Sequence, residues 1–163
     1  MNEKILLIDD EPEILQLISE ILITEGFYIK AVNSGKEGIT SLKTEPFDLV
    51  VTDMKMPQMD GLQLLREIKK IDNDIEVIIL TGYANDQDVL DALTNGEASF
   101  YLTKPLQNIE DIVFCVKQFL DKRRLKVENK NIVKQISDLR DYLKKALKDK
   151  QDIPKHIEKI LNP

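Results

Sequence analysis

The chain has 163 residues, 42% of them hydrophobic, with a formal net charge of -6. That composition excludes wholesale disorder and fits one ordinary domain with an appendage. No apolar run approaches the roughly 20 residues that span a bilayer, and with Cys115 as its single cysteine the chain cannot form an internal disulfide, so a soluble, cytoplasmic protein is expected.

Apolar runs alternate with helical patterns from the start. "KILLID" (Lys4 to Asp9) is short and continuously apolar, as a strand buried on both faces should be. "EPEILQLISEILITEG" follows with Ile14, Leu15, Ile18, Ile21 and Leu22 at helical spacing, Pro12 near its start and Gly26 at its stop. "FYIKAV" predicts the second strand and "GKEGITSLKTE" the second helix. "FDLVVTD" predicts the third strand and "GLQLLREIKKI" the third helix. "EVIILTG" predicts the fourth strand and "NDQDVLDALTNG" a weaker helix. "ASFYLTKP" predicts the fifth strand, and "NIEDIVFCVKQFL" opens a fifth helix. Five strands alternating with five helices imply an α/β fold, a parallel sheet covered on both faces with right-handed crossovers.

In such a sheet the functional crevice lies outside the carboxyl ends of the strands. Strand one ends in Asp9-Asp10, strand three in Asp53, strand four in Thr81-Gly82 and strand five in Thr103-Lys104-Pro105. Three carboxylates, a hydroxyl and an ammonium are therefore expected on one edge. Crowded carboxylates repel unless a cation or a shared proton intervenes. The side-chain donors are all oxygens, with no His or Cys nearby, which favours a hard divalent cation such as Mg²⁺ over zinc or copper. One carboxylate can then attack phosphorus to form an aspartyl phosphate, with Lys104 pairing to the phosphoryl oxygens and Thr81 donating a hydrogen bond.

"LLIDDEP", "DLVVTDMKMPQMDG", "IILTGYA" and "YLTKP", in this order and spacing, resemble the response-regulator receiver domain, the phosphoacceptor module of two-component signalling. The resemblance runs from about Glu3 to about Leu120. It implies a flavodoxin-like, doubly wound five-stranded sheet of order 2-1-3-4-5. It also implies that Asp53 is the phosphoacceptor and that Asp9 and Asp10 bind Mg²⁺ or Mn²⁺ with Asp53, Asp10 being the more direct ligand. The backbone carbonyl of Lys55 would complete the metal site. Thr81 would be the switch hydroxyl, Tyr101 the switch aromatic and Lys104 the family lysine, joined to a cis Pro105. Side chains at Lys55 and Tyr83 would flank the site. The implied partner is a sensor histidine kinase. The implied activity is that of a switch rather than an enzyme, one that assists only its own phosphorylation and dephosphorylation.

The tail reads differently. Residues 1–121 carry 10 Lys/Arg against 23 Asp/Glu, a net -13, whereas 122–163 carry 13 against 6, a net +7. Three parts are expected: a receiver over 1–121, a helical coiled-coil extension over 122–150, and a short helix or tail over 151–163. With a positions at Lys122, Asn129, Ile136, Leu143 and Lys150, the d positions fall on Leu125, Ile132, Leu139 and Ala146. Asn129 is the kind of buried polar residue that fixes a two-stranded register, so a homodimer through 122–150 is expected to carry the signal to a partner or an output domain. Phosphorelay to a histidine protein is the alternative. Direct nucleic-acid binding is not expected, because "QDIPKHIEKILNP" is too short for a helix-turn-helix unit. His156 within it reads as a surface histidine, and Cys115 reads as core.

Overall fold

The computed structural model describes residues 3–57, 59–82 and 87–148. The expected helix over 151–163, His156 and Tyr83 lie outside the described residues.

The elements follow the alternation of the sequence. They are β1 (Lys4–Ile8), α1 (Pro12–Thr24), β2 (Tyr28–Val32), α2 (Gly35–Thr44), β3 (Leu49–Asp53), β4 (Lys55–Met56), β5 (Met59–Asp60), α3 (Gly61–Ile71), β6 (Glu76–Thr81), α4 (Gln87–Thr94), β7 (Phe100–Thr103) and α5 (Ile109–Lys148). The five longer strands form one parallel sheet ordered β2-β1-β3-β6-β7, the expected 2-1-3-4-5 arrangement. The two-residue strands β4 and β5 pair as a small antiparallel hairpin between β3 and α3. The chain divides into two compact units at Arg123/Arg124.

Local signals account for the helix ends. Pro12 opens α1, where its missing N–H costs nothing. Ser34 caps α2, its hydroxyl accepting from the Glu37 N–H at 3.4 Å. Gly26 (φ 93°) and Gly96 (φ 71°) follow α1 and α4 in the left-handed region that glycine enters freely.

Alternate residues of the central strands feed two cores. Leu6, Ile8, Val50, Val77 and Ile79 pack with Leu64, Leu65, Ile68 and Val89 on one face. Ile5, Leu7, Leu49, Val51, Ile78 and Leu80 pack with Ile18, Leu22, Ile112, Cys115 and Val116 on the other. Each fully buried aliphatic side chain contributes on the order of 1.5–3 kcal/mol. Two buried faces explain why β1, β3 and β6 read as continuous apolar runs. The helical crossovers between successive strands give them a common direction, and so the edge on which the polar ends meet.

Beyond Arg123, α5 continues to Lys148. Its Leu125, Ile132, Ile136, Leu139 and Leu143 are all exposed.

Candidate functional site

The site is built where β1, β3, β6 and β7 end. Register places Ile8 beside Thr52, Asp53 beside Leu80, and Thr81 beside Thr103. The residues that follow are thereby brought to one edge. Asp9 is fully buried, Asp53 is 7% and Thr81 1% exposed, and Asp10 is half-buried.

Lys104 ties the carboxylates together. Its Nζ lies 2.7 Å from Asp9 Oδ2, 3.0 Å from Asp53 Oδ2 and 3.0 Å from Glu11 Oε1. Glu11 is a member that sequence reasoning missed; its place directly after the acidic pair in "DDEP" was the available signal. Backbone donors hold the remaining oxygens. The Glu11 N–H donates to Asp9 Oδ1 at 2.9 Å, and the Lys55 N–H donates to Asp53 Oδ1 at 3.1 Å. Lys104 is itself positioned by its own N–H, which donates to the Thr81 carbonyl at 2.7 Å. The Lys104–Pro105 peptide is cis.

Two other expected members, Lys55 and Tyr101, lie on strands β4 and β7. Lys55 lies in β4, two residues past Asp53, and the hairpin sets it opposite Asp60. Tyr101 lies in β7 beside Ile79 of β6, half-buried against the core that holds Ile79 and Val89. Gly61 opens α3 under Met54, where an added Cβ would collide with the Met54 carbonyl and crowd its sulfur. Only glycine lets the helix start this close to the residue after Asp53.

The electrostatics follow from burial. Removal from water pushes the Asp9 carboxyl above its ordinary value, against the lowering effect of Lys104 and the Glu11 N–H; the nearby Asp53 charge raises it further. For Lys104, burial disfavours the ammonium, but pairing with Asp9, Asp53 and Glu11 prevails and raises its pKa. The ammonium is therefore a fixed positive charge at any working pH.

The donor set fits a hard divalent cation. One oxygen each from Asp9, Asp10 and Asp53 lies within 4.8 Å of the other two. Asp9 Oδ2 is buried with no hydrogen bond, although it is paired by charge with Lys104. Three carboxylates against one lysine leave an excess of negative charge, and oxygen-only donors suit Mg²⁺. Asp9, Asp10 and Asp53 are the residues that would hold it.

Comparison with known proteins points the same way. A family model, the response regulator receiver domain, matches residues 5–117. Sporulation initiation phosphotransferase F of Bacillus subtilis is 37% identical over 120 residues, which cover 74% of this chain and 95% of that protein. The transcriptional regulatory protein GlrR of Escherichia coli is 42% identical over 102 residues, 63% of this chain but 23% of the relative. The chain thus spans under a quarter of the length of that regulator and about half of the regulatory protein VanRc of Enterococcus gallinarum. Among solved structures, a CheY-like receiver domain protein from Methanospirillum hungatei superposes with a TM-score of 0.73 at 31% identity, covering 77% of this chain and 99% of that one. The response regulator TrrA of Thermotoga maritima, solved with Mg²⁺ and beryllofluoride, gives a TM-score of 0.65 at 32% identity, covering 72% and 98%. With its sheet order, its acidic edge and a family match over most of its length, this chain belongs to the response regulator receiver domain family, the signalling switches of two-component systems.

Proposed function

We propose that Asp53 accepts a phosphoryl group from the phosphohistidine of a sensor kinase. The observation that carries this reading is the position of Lys104 Nζ, 3.0 Å from Asp53 Oδ2 and 2.7 Å from Asp9 Oδ2, on the same edge as Thr81. An Asp53 oxygen attacks phosphorus, forming an O–P bond as the P–N bond breaks. The electron pair returns to the imidazole of the kinase, which then takes a proton from water. Lys104 offsets the charge on the transferring phosphoryl oxygens, and Thr81 donates its hydroxyl to them. The Glu11 and Lys55 N–H groups hold Asp9 and Asp53 in place. Mg²⁺ bound by the three aspartates would supply positive charge that lets a carboxylate approach an anionic phosphoryl group.

Phosphorylation adds charge and acceptor oxygens at the Thr81 edge, and Thr81 with Tyr101 passes the change on as a population shift. The output runs through α5, whose exposed apolar stripe pairs with the same helix of a second copy.

A second reading is supported by the 37% identity to a phosphotransferase that the chain covers almost end to end. In it, Asp53 passes the phosphoryl group on to a histidine of another protein.

Incubation with acetyl phosphate and Mg²⁺ followed by intact-mass analysis tests the site. The wild-type chain should gain one phosphoryl group and Asp53→Asn none. Phosphorylation of the variant at the wild-type rate would refute the assignment.

A further inference from the structure

Glu76 begins β6 at the end of the sheet opposite the acidic edge, and its carboxylate is 3% exposed. Such a group needs hydrogen bonds and a cation. Its Oε2 accepts from the Ser99 hydroxyl, and Ser99 in turn accepts from the Val77 N–H at 3.1 Å. Lys122 Nζ of α5 reaches the same oxygen at 2.9 Å. The next residue, Arg123, pairs with Asp72 at 2.6 Å. The last two residues of the first unit are thus both pinned by carboxylates of the α3–β6 region.

Lys122 has a second neighbour. Its Nζ sits 5.3 Å from the centroid of the Phe119 ring, within cation–π range. Phe119 packs on Phe100 at 5.8 Å, and Phe100 stacks on Tyr101 at 6.1 Å. A contiguous series of side chains therefore runs from the aromatic of the switch to the buried carboxylate that holds α5.

We propose that the Phe100–Phe119–Lys122–Glu76 series is the joint that couples the phosphoacceptor edge to α5, closed in the unphosphorylated state. The joint rests on the reading of Asp53 and Tyr101 given above. A turn of the Tyr101 ring removes the surface on which Phe100 stacks, Phe119 follows, and the hold of Lys122 on Glu76 loosens. Coupling is reciprocal, so opening the joint by mutation must favour the phosphorylated state in turn. Glu76, Lys122 and Phe119 act here as positioning residues, none of them touching the phosphoryl group.

The test uses the full chain, with Mg²⁺ and beryllofluoride as the aspartyl-phosphate mimic. Glu76→Gln keeps an acceptor for Ser99 but removes the charge that holds Lys122, and Lys122→Met keeps the stem length without the ammonium. Each should bind the mimic about 5-fold more tightly than wild type. The double variant should gain no more than either single one, because both open the same contact. Phe119→Leu, which fills the space without the ring, should shift affinity in the same direction. Thermal unfolding of each apo variant verifies that it is folded. Unchanged affinity in all three folded variants would overturn the joint, leaving Glu76–Lys122 a structural staple. A wild-type chain that fails to bind the mimic would instead overturn the reading of Asp53, and the joint with it.

Discussion

Lys104 and Asp53 meet at 3.0 Å across 51 residues of sequence, the lysine ammonium facing the carboxylate that we assign as phosphoacceptor. Neither group could be buried at this edge alone: the ammonium lacks acceptors without the acidic cluster, and the cluster lacks a counter-charge without the lysine. Replacing Lys104 by Met removes the fixed charge while keeping the stem. Phosphorylation of Lys104→Met by acetyl phosphate should fall on the order of 100-fold. Binding of Mg²⁺, followed by tryptophan-free methods such as calorimetry, should persist, because the three aspartates remain. Loss of both together would show that Lys104 organises the whole site rather than serving the phosphoryl group.

Asp9 supplies a pH and metal prediction. Burial, ahead of the opposing pull of Lys104, raises its pKa in the folded chain. A raised carboxyl favours folding only while it is protonated, below its unfolded value. That benefit is lost as pH rises through the folded value, and above it the buried Asp9 carboxylate costs stability. Asp9→Asn should therefore raise the melting temperature of the metal-free chain at pH 7 by about 2–5 °C. Mg²⁺ should stabilise the wild type strongly and this variant little. The advantage of the variant should shrink as pH falls toward the unfolded carboxylate value. A variant that melts lower than wild type at pH 7 without metal would contradict this account.

Asp72 gives the opposite sign. Burial pushes its carboxyl up, but Arg123 and the Asp74 N–H outweigh burial and hold it below its ordinary value. A depressed carboxyl stabilises the fold above its unfolded pKa and loses that contribution as pH falls through the folded value. Asp72→Asn should cost roughly 1 kcal/mol at pH 7, since Arg123 is only 15% exposed and loses its charge partner. Denaturant unfolding of the two proteins should converge as the pH drops below about 4. A constant difference across that range would mean that the pair acts by shape rather than by charge.

The site was legible because its residues mark strand ends. Asp9, Asp53, Thr81 and Lys104 each follow or close an apolar run, and a parallel sheet places such ends together whatever the details of packing. Glu76 was not legible, and Glu11 only through its place directly after the acidic pair. Glu11 meets Lys104 93 residues away, and Glu76 is answered by Ser99 and Lys122 from two other elements. No periodicity encodes those meetings. Lys122 illustrates the limit well: the heptad pattern makes it an a position, whereas in the fold its ammonium is engaged by Glu76. The β4–β5 hairpin was hidden for another reason, since two-residue strands have no pattern to read.

Gly61 tests the loop after Asp53. Its Cβ position is occupied by the carbonyl and sulfur of Met54, so Gly61→Ala must push α3 or the loop aside. Overpacking of this kind costs roughly 1–3 kcal/mol. The backbone that moves carries Met54 and Lys55, whose N–H donates to Asp53. Gly61→Ala should therefore lose phosphorylation rate out of proportion to its loss of stability. Gly82→Ala, which meets no atom within 4 Å, should leave stability nearly unchanged. Equal behaviour of the two variants would mean that the loop tolerates the shift.

The exposed stripe of α5 sets the last prediction. Leu125 (56% exposed), Ile132, Ile136 (62%), Leu139 and Leu143 recur at intervals of three, four and seven residues, the spacing of a coiled-coil seam. A lone helix gains nothing from such a stripe, because its apolar side chains stay in water. Pairing with a second copy would bury it, and Asn129 at an a position would favour two strands in register. Ile136 occupies the middle of the stripe, so a charge there should act on assembly and not on the first unit. Sedimentation equilibrium should give a dimer for the full chain and a monomer for Ile136→Lys, with phosphorylation of Asp53 by acetyl phosphate retained in both. Because the joint at Lys122 is intact in this variant, its affinity for beryllofluoride separates the two roles of α5. Unchanged affinity in a monomer would mean that assembly follows the switch without feeding back on it. A full chain that is monomeric with and without the mimic would remove the second copy as occupant of the stripe.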